Sequence, residues 1–295
     1  MAEPGFALDR RAVRRSFDRA AAAYDAAAVL QAEVRGQLLE RLDYVKLEPA
    51  VVVDLGCGTG HSSRALKERF PRARVIALDL AEGMLREARR RSGWRRRFDR
   101  VCADARRLPV AAGSVDLLFS NLMLQWCTEL DEVFAEFRRV LRPSGLVNFT
   151  TFGPDTLFEL REAWAAADGG VHVNAFADMH DLGEGLMRAG LAEPVLDVER
   201  VTLTYPDAVA LMRDLKAIGA HNANAARARG LTGRRRLAAM QAAYERRRRN
   251  GTLPATYEVV FAQAWGPAAR QPVRGRRGGE FTFDIGAIGR RGRGS

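Results

Sequence analysis

The sequence predicts an α/β fold, an open and largely parallel sheet with helices on both faces, and three observations carry that expectation. Residues 51–60 read VVVDLGCGTG, three β-branched residues running into Asp54 and then a turn with Gly56, Gly58 and Gly60 at alternate positions. This is the pattern of a buried parallel strand that ends in a tight glycine turn and opens a helix. Three further apolar runs end in polar groups: residues 74–78 lead into Asp79, 101–103 into Asp104, and 115–119 into Ser120 and Asn121. Polar residues gathered at the carboxyl ends of successive strands suit the edge where open α/β sheets bind ligands. Finally, 295 residues, 47% of them hydrophobic, are enough for one large α/β domain with a sizeable core.

The elements follow in order. Residues 8–43 predict two helices: Phe17, Ala20, Ala21 and Tyr24 share one face, and Val29, Val34, Leu38 and Leu42 form a second stripe. Strand and helix then alternate from residue 51 to about 151, with Pro143, Ser144 and Gly145 as a turn feeding a strand over 146–151. A helix is expected over 155–167, with Pro154 near its start, and another over 178–189, stopped by Gly190. Strands are expected over 195–205 and 257–264. About fifty residues lie between them, too many for a hairpin. Two helical stretches there, 208–218 and 234–247, predict a helical insert over the carboxyl edge of the sheet. After Pro267 the chain is rich in Arg and Gly and ends GRRGRGS, the composition of a disordered tail. The expected division is a helical cover (1–45), a cofactor-binding core (46–205), an insert serving as substrate lid (206–254), the final strand (255–266) and a basic tail (267–295).

Composition narrows the function classes. Net charge is +11, carried almost wholly by arginine, since lysine occurs only at 46, 67 and 216. Base composition accounts for part of this balance and an acidic partner, nucleic acid or an acidic carrier protein, for part, and charge alone does not choose between them. The densest runs are Arg95 to Arg97, Arg234 to Arg236 and Arg246 to Arg249, of which the last two lie in the insert. Cys57, Cys102 and Cys127 make no C-x-x-C pair and read as reduced thiols, which places the chain in the cytoplasm. No apolar run reaches the length of a membrane span, and the charged start lacks an apolar signal core. His61, His172, His180 and His221 are scattered without metal-ligand spacing, so no metal site is expected.

The motifs D-L-G-C-G-T-G, A-L-D-L, C-A-D-A-x-x-L-P, S-V-D-L-L-F-S-N and V-L-R-P-S-G, in that order over residues 51–151, resemble the motif set of class I S-adenosylmethionine-dependent methyltransferases. The resemblance implies a Rossmann-like seven-stranded sheet and S-adenosyl-L-methionine as cofactor. A nicotinamide site would want G-x-G-x-x-G for its pyrophosphate, but His61, Ser62 and Ser63 follow Gly60. The flanks add S-F-D-R-A-A-A-A-Y-D, S-N-L-M-L-Q-W, H-V-N-A-F and L-K-A-I-G-A-H-N, which over residues 12–266 look like the malonyl-carrier-protein O-methyltransferases of biotin synthesis. A second group, the methyltransferase-like assembly factors of respiratory complex I, is similar in F-G-x-D-T-L-x-E-L-R, in L-P-A-T-Y and in residues 281–289. Those factors act on or with a protein partner, and they remain the alternative reading.

The first resemblance implies a carboxyl O-methyltransferase whose partner is a malonyl-loaded acyl carrier protein. Its nucleophile, a free carboxylate, is already ionised, so proximity and exclusion of water suffice and no strong base is needed. The cofactor would be held by Asp54, Gly56, Gly58, Gly60, Asp79, Leu80, Asp104, Ala105 and Asn121, with Asp79 on the ribose hydroxyls and Asp104 with Ala105 at the adenine. Tyr24, from the F-x-x-A-A-x-x-Y signature, together with Gln125 and Trp126 after the fourth strand, would wall the transfer site. Tyr24, Lys216, His221 and Arg139 are the candidates to bind the substrate, a cation being suited to its carboxylate. S-N-L-M-L-Q-W offers neither N-P-P-[YF] nor P-C, so nucleic acid is not the expected acceptor. The sequence fixes no oligomeric state.

Overall fold

The structure, a computed structural model, describes residues 7–94, 97–168, 170–224, 230 and 232–268. Arg95, Arg96 and the tail from residue 269, including residues 281–289, lie outside the described residues.

Seven strands form one sheet: β1 (Val51–Leu55), β2 (Arg74–Asp79), β3 (Asp99–Cys102), β4 (Val115–Ser120), β5 (Leu141–Phe152), β6 (Ala192–Tyr205) and β7 (Leu253–Trp265). Their order across the sheet is β3-β2-β1-β4-β5-β7-β6. Strands β1 to β5 pair in parallel, and β7 runs antiparallel between β5 and β6. The chain passes from β1 outward to β2 and β3, then returns to place β4 on the other side of β1. That reversal opens a crevice at the carboxyl ends of β1 and β4.

The helices are α1 (Arg10–Ala20), α2 (Tyr24–Ala27), α3 (Val29–Arg41), α4 (His61–Arg69), α5 (Glu82–Ser92), α6 (Leu130–Val140), α7 (Phe158–Ala165), α8 (Met179–Arg188), α9 (Ala208–Ala217) and α10 (Arg234–Glu245). Three begin on an aspartate whose side chain accepts a backbone N–H of the first turn: Asp9 from Ala12 at 3.0 Å, Asp178 from His180 at 2.7 Å, and Asp207 from Ala210 at 2.8 Å. Each such cap is worth about 1 kcal/mol. All six residues of β4 are buried, as a central strand covered on both faces requires. One core layer joins α3, α4, α7, α9 and α10 to the sheet, and the other joins α6 and α8.

Local differences from the sequence expectation have physical causes. The N-terminal segment holds the short α2 as a third helix. Pro143, Ser144 and Gly145 do not end a turn before β5 but lie within it. Leu141 already pairs with Val115, and the surplus is taken up where the register with β4 shifts, near Ser144 at φ +59°. The last strand starts at Leu253, because β6 and β7 pair along their whole length from Tyr205 opposite Leu253 to Ala192 opposite Trp265.

Candidate functional site

The crevice holds a cavity of about 330 Å³ built from the strand ends: Leu55 and Gly56 after β1, Asp79 and Leu80 after β2, Ala103, Asp104 and Ala105 after β3, and Asn121 after β4. The opposite wall comes from the N-terminal helices, through Arg10, Val13, Phe17, Tyr24 and Gln31.

The glycine turn shapes the floor. Gly56, Gly58 and Gly60 all have positive φ, 69°, 54° and 87°, a region where only glycine rests without strain. The Gly56 and Cys57 N–H groups donate to Leu78 O of β2. A Cβ on Gly58 would meet nothing within 4 Å, so bare backbone faces the open cavity there. Gly60 does something else. Its Cβ would lie 2.9 Å from Ala88 Cβ and 3.2 Å from Phe98 Cζ, and it lines neither cavity described here. Gly60 lets α4 start close against α5.

Asp79 is held by two backbone donors, Gly58 N–H at 2.9 Å and Ala81 N–H at 2.8 Å, one on each carboxylate oxygen. Burial pushes its carboxyl up to about 6 despite these donors. Each oxygen keeps a further lone pair, enough for a pair of hydroxyls. Asp54 lies beneath the turn and does not line the cavity. It accepts from the Ser63 hydroxyl, while its Oδ1 is buried without a partner. Burial raises its carboxyl to about 7. Asp104 lines the cavity but is clamped by Arg106, whose N–H donates at 3.0 Å, and by Arg10 reaching over from α1. Burial opposes ionisation of Asp104, and these donors outweigh it and hold the carboxyl below its usual range. Asn121 spends its amide on structure, donating to Gln31 O and accepting from Thr150 Oγ1, both at 3.0 Å. That ties β4 to α3 and β5.

Tyr24 lines the cavity beside Phe17, Ala21, Ala81 and Met84. Burial, then the nearby Asp79 and Asp25 carboxylates, pushes its hydroxyl far up, so it remains an O–H donor. Gln125 is committed at both ends: Nε2 donates to Leu122 O at 2.7 Å, and Oε1 accepts from Thr151 Oγ1 at 3.4 Å. Trp126 meets Phe17 edge to face at 5.1 Å. Such a pair contributes about 0.5–1.5 kcal/mol beyond its burial, here joining cover to core.

A second cavity of about 100 Å³ adjoins the first and shares Gln31, Gln125, Trp126, Phe152, Ile218 and Ala220 with it. Its own walls are mostly apolar, with Thr156, His172, Asn174, His221, Asn222, Tyr257 and Asp214, which accepts from the Tyr205 hydroxyl at 2.7 Å, as polar exceptions. Asn174 is only 7% exposed, and its Oδ1 has no hydrogen-bond partner. His221 thus stands at the second cavity. The other cation candidates do not. Arg139 lines neither cavity, because it is drawn to the back of α6, bonded to Glu136 and to the carbonyls of Leu108 and Val110. Lys216 is exposed on α9 and also lines neither. Sequence reasoning missed Arg10, Gln31, Phe152 and Asn174 as lining residues. Only Asn174 had a signal, as the centre of H-V-N-A-F.

The first cavity fits S-adenosylmethionine: it offers an open backbone cradle at Gly58, a doubly anchored carboxylate at Asp79, and apolar contact from Leu80 and Ala105. Among the described residues, no three His, Cys, Asp or Glu side chains gather as a metal set, and no helix is long and apolar enough to cross a membrane.

A methyltransferase-domain family model matches residues 53–149. A putative methyltransferase of Bacillus halodurans has the same fold, with TM-score 0.58 and 17% identity over 79% of this chain and 99% of that one. Phosphoethanolamine N-methyltransferase 2 of Haemonchus contortus, solved with S-adenosyl-L-methionine, aligns with TM-score 0.52 and 17% identity over 85% of this chain and 57% of that one. Two curated relatives named malonyl-[acyl-carrier protein] O-methyltransferase are far more similar. That of Methylovorus sp. (strain MP688) is 55% identical over 92% of this chain and 93% of its own length. That of Laribacter hongkongensis is 55% identical over 90% and 92%. With the glycine turn, the anchored Asp79 and this identity along nearly the whole chain, the protein belongs to the malonyl-[acyl-carrier protein] O-methyltransferase family.

Proposed function

We propose that this chain transfers a methyl group from S-adenosylmethionine to the free carboxylate of malonyl-[acyl-carrier protein], giving the malonyl methyl ester that starts pimeloyl and biotin synthesis. The observation that carries this reading is the pair of adjoining cavities, one anchored on Asp79, the other lined mostly by apolar side chains, meeting at Gln31, Gln125, Trp126, Phe152, Ile218 and Ala220.

When bound, adenosylmethionine supplies an electrophilic sulfonium methyl. The chain's own residues bind and align. The backbone at Gly56 and Gly58 would face the methionine end, Asp79 with Leu80 beside it would hold the ribose hydroxyls, and Asp104 with Ala105 would hold the adenine. Tyr24, whose hydroxyl stays protonated, would donate to the substrate carboxylate. Gln125 and Trp126, fixed by their own contacts, form the wall past which the malonyl carboxylate approaches. Asn174 offers a buried amide to the acyl group in the second cavity. Among the described residues no arginine or lysine lines that cavity, so amides and His221 replace the expected cation. A carboxylate needs no base to become a nucleophile, and apolar walls that exclude water strengthen it.

The described parts of the cover (residues 7–45) and of the insert (206–224 and 232–254) act together as a lid over the core. Two contacts support this: the Asp9 N–H donates to Ala223 O at 2.8 Å, and Leu8 bridges Asn224. The reaction belongs in the cytoplasm, which suits the three free cysteines. The test is mass spectrometry of malonyl carrier protein incubated with enzyme and adenosylmethionine. A gain of one methyl on the malonyl group is expected, and an unchanged mass would contradict the reading.

A further inference from the structure

The two faces of α1 differ sharply. Val13, Phe17 and Ala20 turn inward, and the first two line the cofactor cavity. Arg11, Arg15 and Arg19 recur every four residues on the other side and are exposed. Residues so spaced share one helix face, here a stripe about 12 Å long. Among the described residues, none of the three makes an ion pair with a carboxylate, whereas Arg10 and Arg14 do.

The end of α9 extends this stripe. Gly219, at φ +75°, lies so close to α1 that a Cβ there would be 3.2 Å from Ala20 Cβ and 3.3 Å from Phe17 Cδ1 and Ser16 O. This contact brings exposed Lys216 and His221 beside Arg19. Burial, then Lys216 and Arg19, lower the basicity of His221, which marks how near those two cations stand. His221 in turn lines the second cavity, together with Val29, which is 68% exposed. Between α1 and Val29, Ala22, Ala23 and Ala26 are exposed, and the one charged side chain among residues 21–28, Asp25, is paired with Arg91 and His61. A row of unpaired cations therefore ends at an apolar patch beside the substrate opening.

The arginines of α10 and of the segment after it are placed differently. Arg236 lies near Asp168, and past the helix Arg247 pairs with Glu162 and Arg248 with Glu245. Exposed Arg234, Arg235 and Arg246 line neither cavity. No residue of α10 lines either cavity.

We propose that Arg11, Arg15 and Arg19 of α1, extended by Lys216, form the docking surface for an acidic, helical carrier protein, which delivers its thioester-linked acyl arm into the second cavity past Val29 and His221. This rests on the proposed function, since it names where that reaction's macromolecular substrate sits. Opposed charge along one helix face steers encounter and fixes register, and the apolar patch supplies the dry centre such an interface needs.

The test is steady-state kinetics with malonyl carrier protein on the full chain, comparing wild type with an Arg11→Glu/Arg15→Glu/Arg19→Glu variant and an Arg234→Glu/Arg235→Glu/Arg246→Glu variant. Calorimetry with adenosylmethionine serves as the check on folding, and an Arg→Gln version of the α1 variant covers loss of the helix. The expected result is a rise of roughly tenfold or more in KM for the carrier substrate in the α1 variant. Its kcat at saturation and its adenosylmethionine affinity should be kept, and the α10 variant should match wild type. Raising salt should lift the wild-type KM toward that of the α1 variant. Equal KM in wild type and both α1 variants, or a rise only in the α10 variant, would overturn the surface while leaving the function intact. A wild type that methylates no malonyl carrier protein would overturn both.

Discussion

The two adjoining cavities are made in opposite ways. The larger gathers the ends of β1, β2, β3 and β4, four short segments of one contiguous stretch, and its key groups are held by backbone: Asp79 takes the N–H of Gly58 and of Ala81. The smaller has no such strand-end floor and leaves Asn174 Oδ1 unpaired. The floor of the nucleoside site thus follows from the sheet's topology, while its outer wall and most of the acyl site depend on how the cover, the insert and the β5–α8 connection close.

That contrast can be broken or sharpened by substitution. The largest effect is expected from Asp79→Ala. Hydroxyls left without an acceptor cost about 1–3 kcal/mol, or roughly ten- to a hundredfold in adenosylmethionine affinity. Titration calorimetry reads this, and an unchanged affinity would move the ribose elsewhere. Tyr24→Phe comes next. It should lower kcat roughly tenfold, the worth of a hydrogen bond to a charged group, with little change in melting temperature. If the variant loses stability and turns over normally, Tyr24 is only packing.

Asn174→Leu separates the two cavities most cleanly. Removing an amide oxygen that is buried without a partner should stabilise the fold by about 1 kcal/mol. The same change should raise KM for malonyl carrier protein several-fold and leave adenosylmethionine affinity alone. Chemical denaturation and kinetics together check both signs, and loss of stability would show that the amide is satisfied in solution.

The smallest effect concerns Asp54. Its carboxyl is raised from 3.8 to about 7 by burial, so between roughly pH 4 and pH 7 the folded chain holds more protons than the unfolded one. Stability contributed by this group therefore falls as pH rises through that window. Asp54→Asn removes the titration. Its melting temperature should exceed that of wild type by more at pH 8 than at pH 5, and a constant difference would contradict the buried carboxylate.

Legibility in the sequence follows the same division. Glycines at alternate positions, β-branched runs and the acids that close them are local signals, so the sheet from β1 to β4 and the placing of Gly58, Asp79 and Asp104 could be read directly. The motif did not reveal that Gly60 serves the packing of α4 on α5, because turn and packing ask for the same residue. The side Arg139 faces is not legible, because a helix-borne arginine carries no mark of its direction. Here Glu136 and two carbonyls claim it. Arg10 and Gln31 reach the cavity only because the cover folds back over the sheet, which no local pattern encodes. The long β6–β7 pairing likewise depends on a partner some fifty residues away.

The central claim is that the malonyl carboxylate meets the cofactor where the two cavities join. The most direct measurement is a crystal structure with S-adenosylhomocysteine and a malonyl-pantetheine thioester. The expected result is the homocysteine product beside Gly58, Asp79 and Tyr24, with the malonyl carboxylate between Gln125, Trp126 and Ile218 and its thioester running past Asn174 toward Val29 and His221. A malonyl group bound outside the second cavity, with its carboxylate away from Gln125 and Trp126, would contradict it.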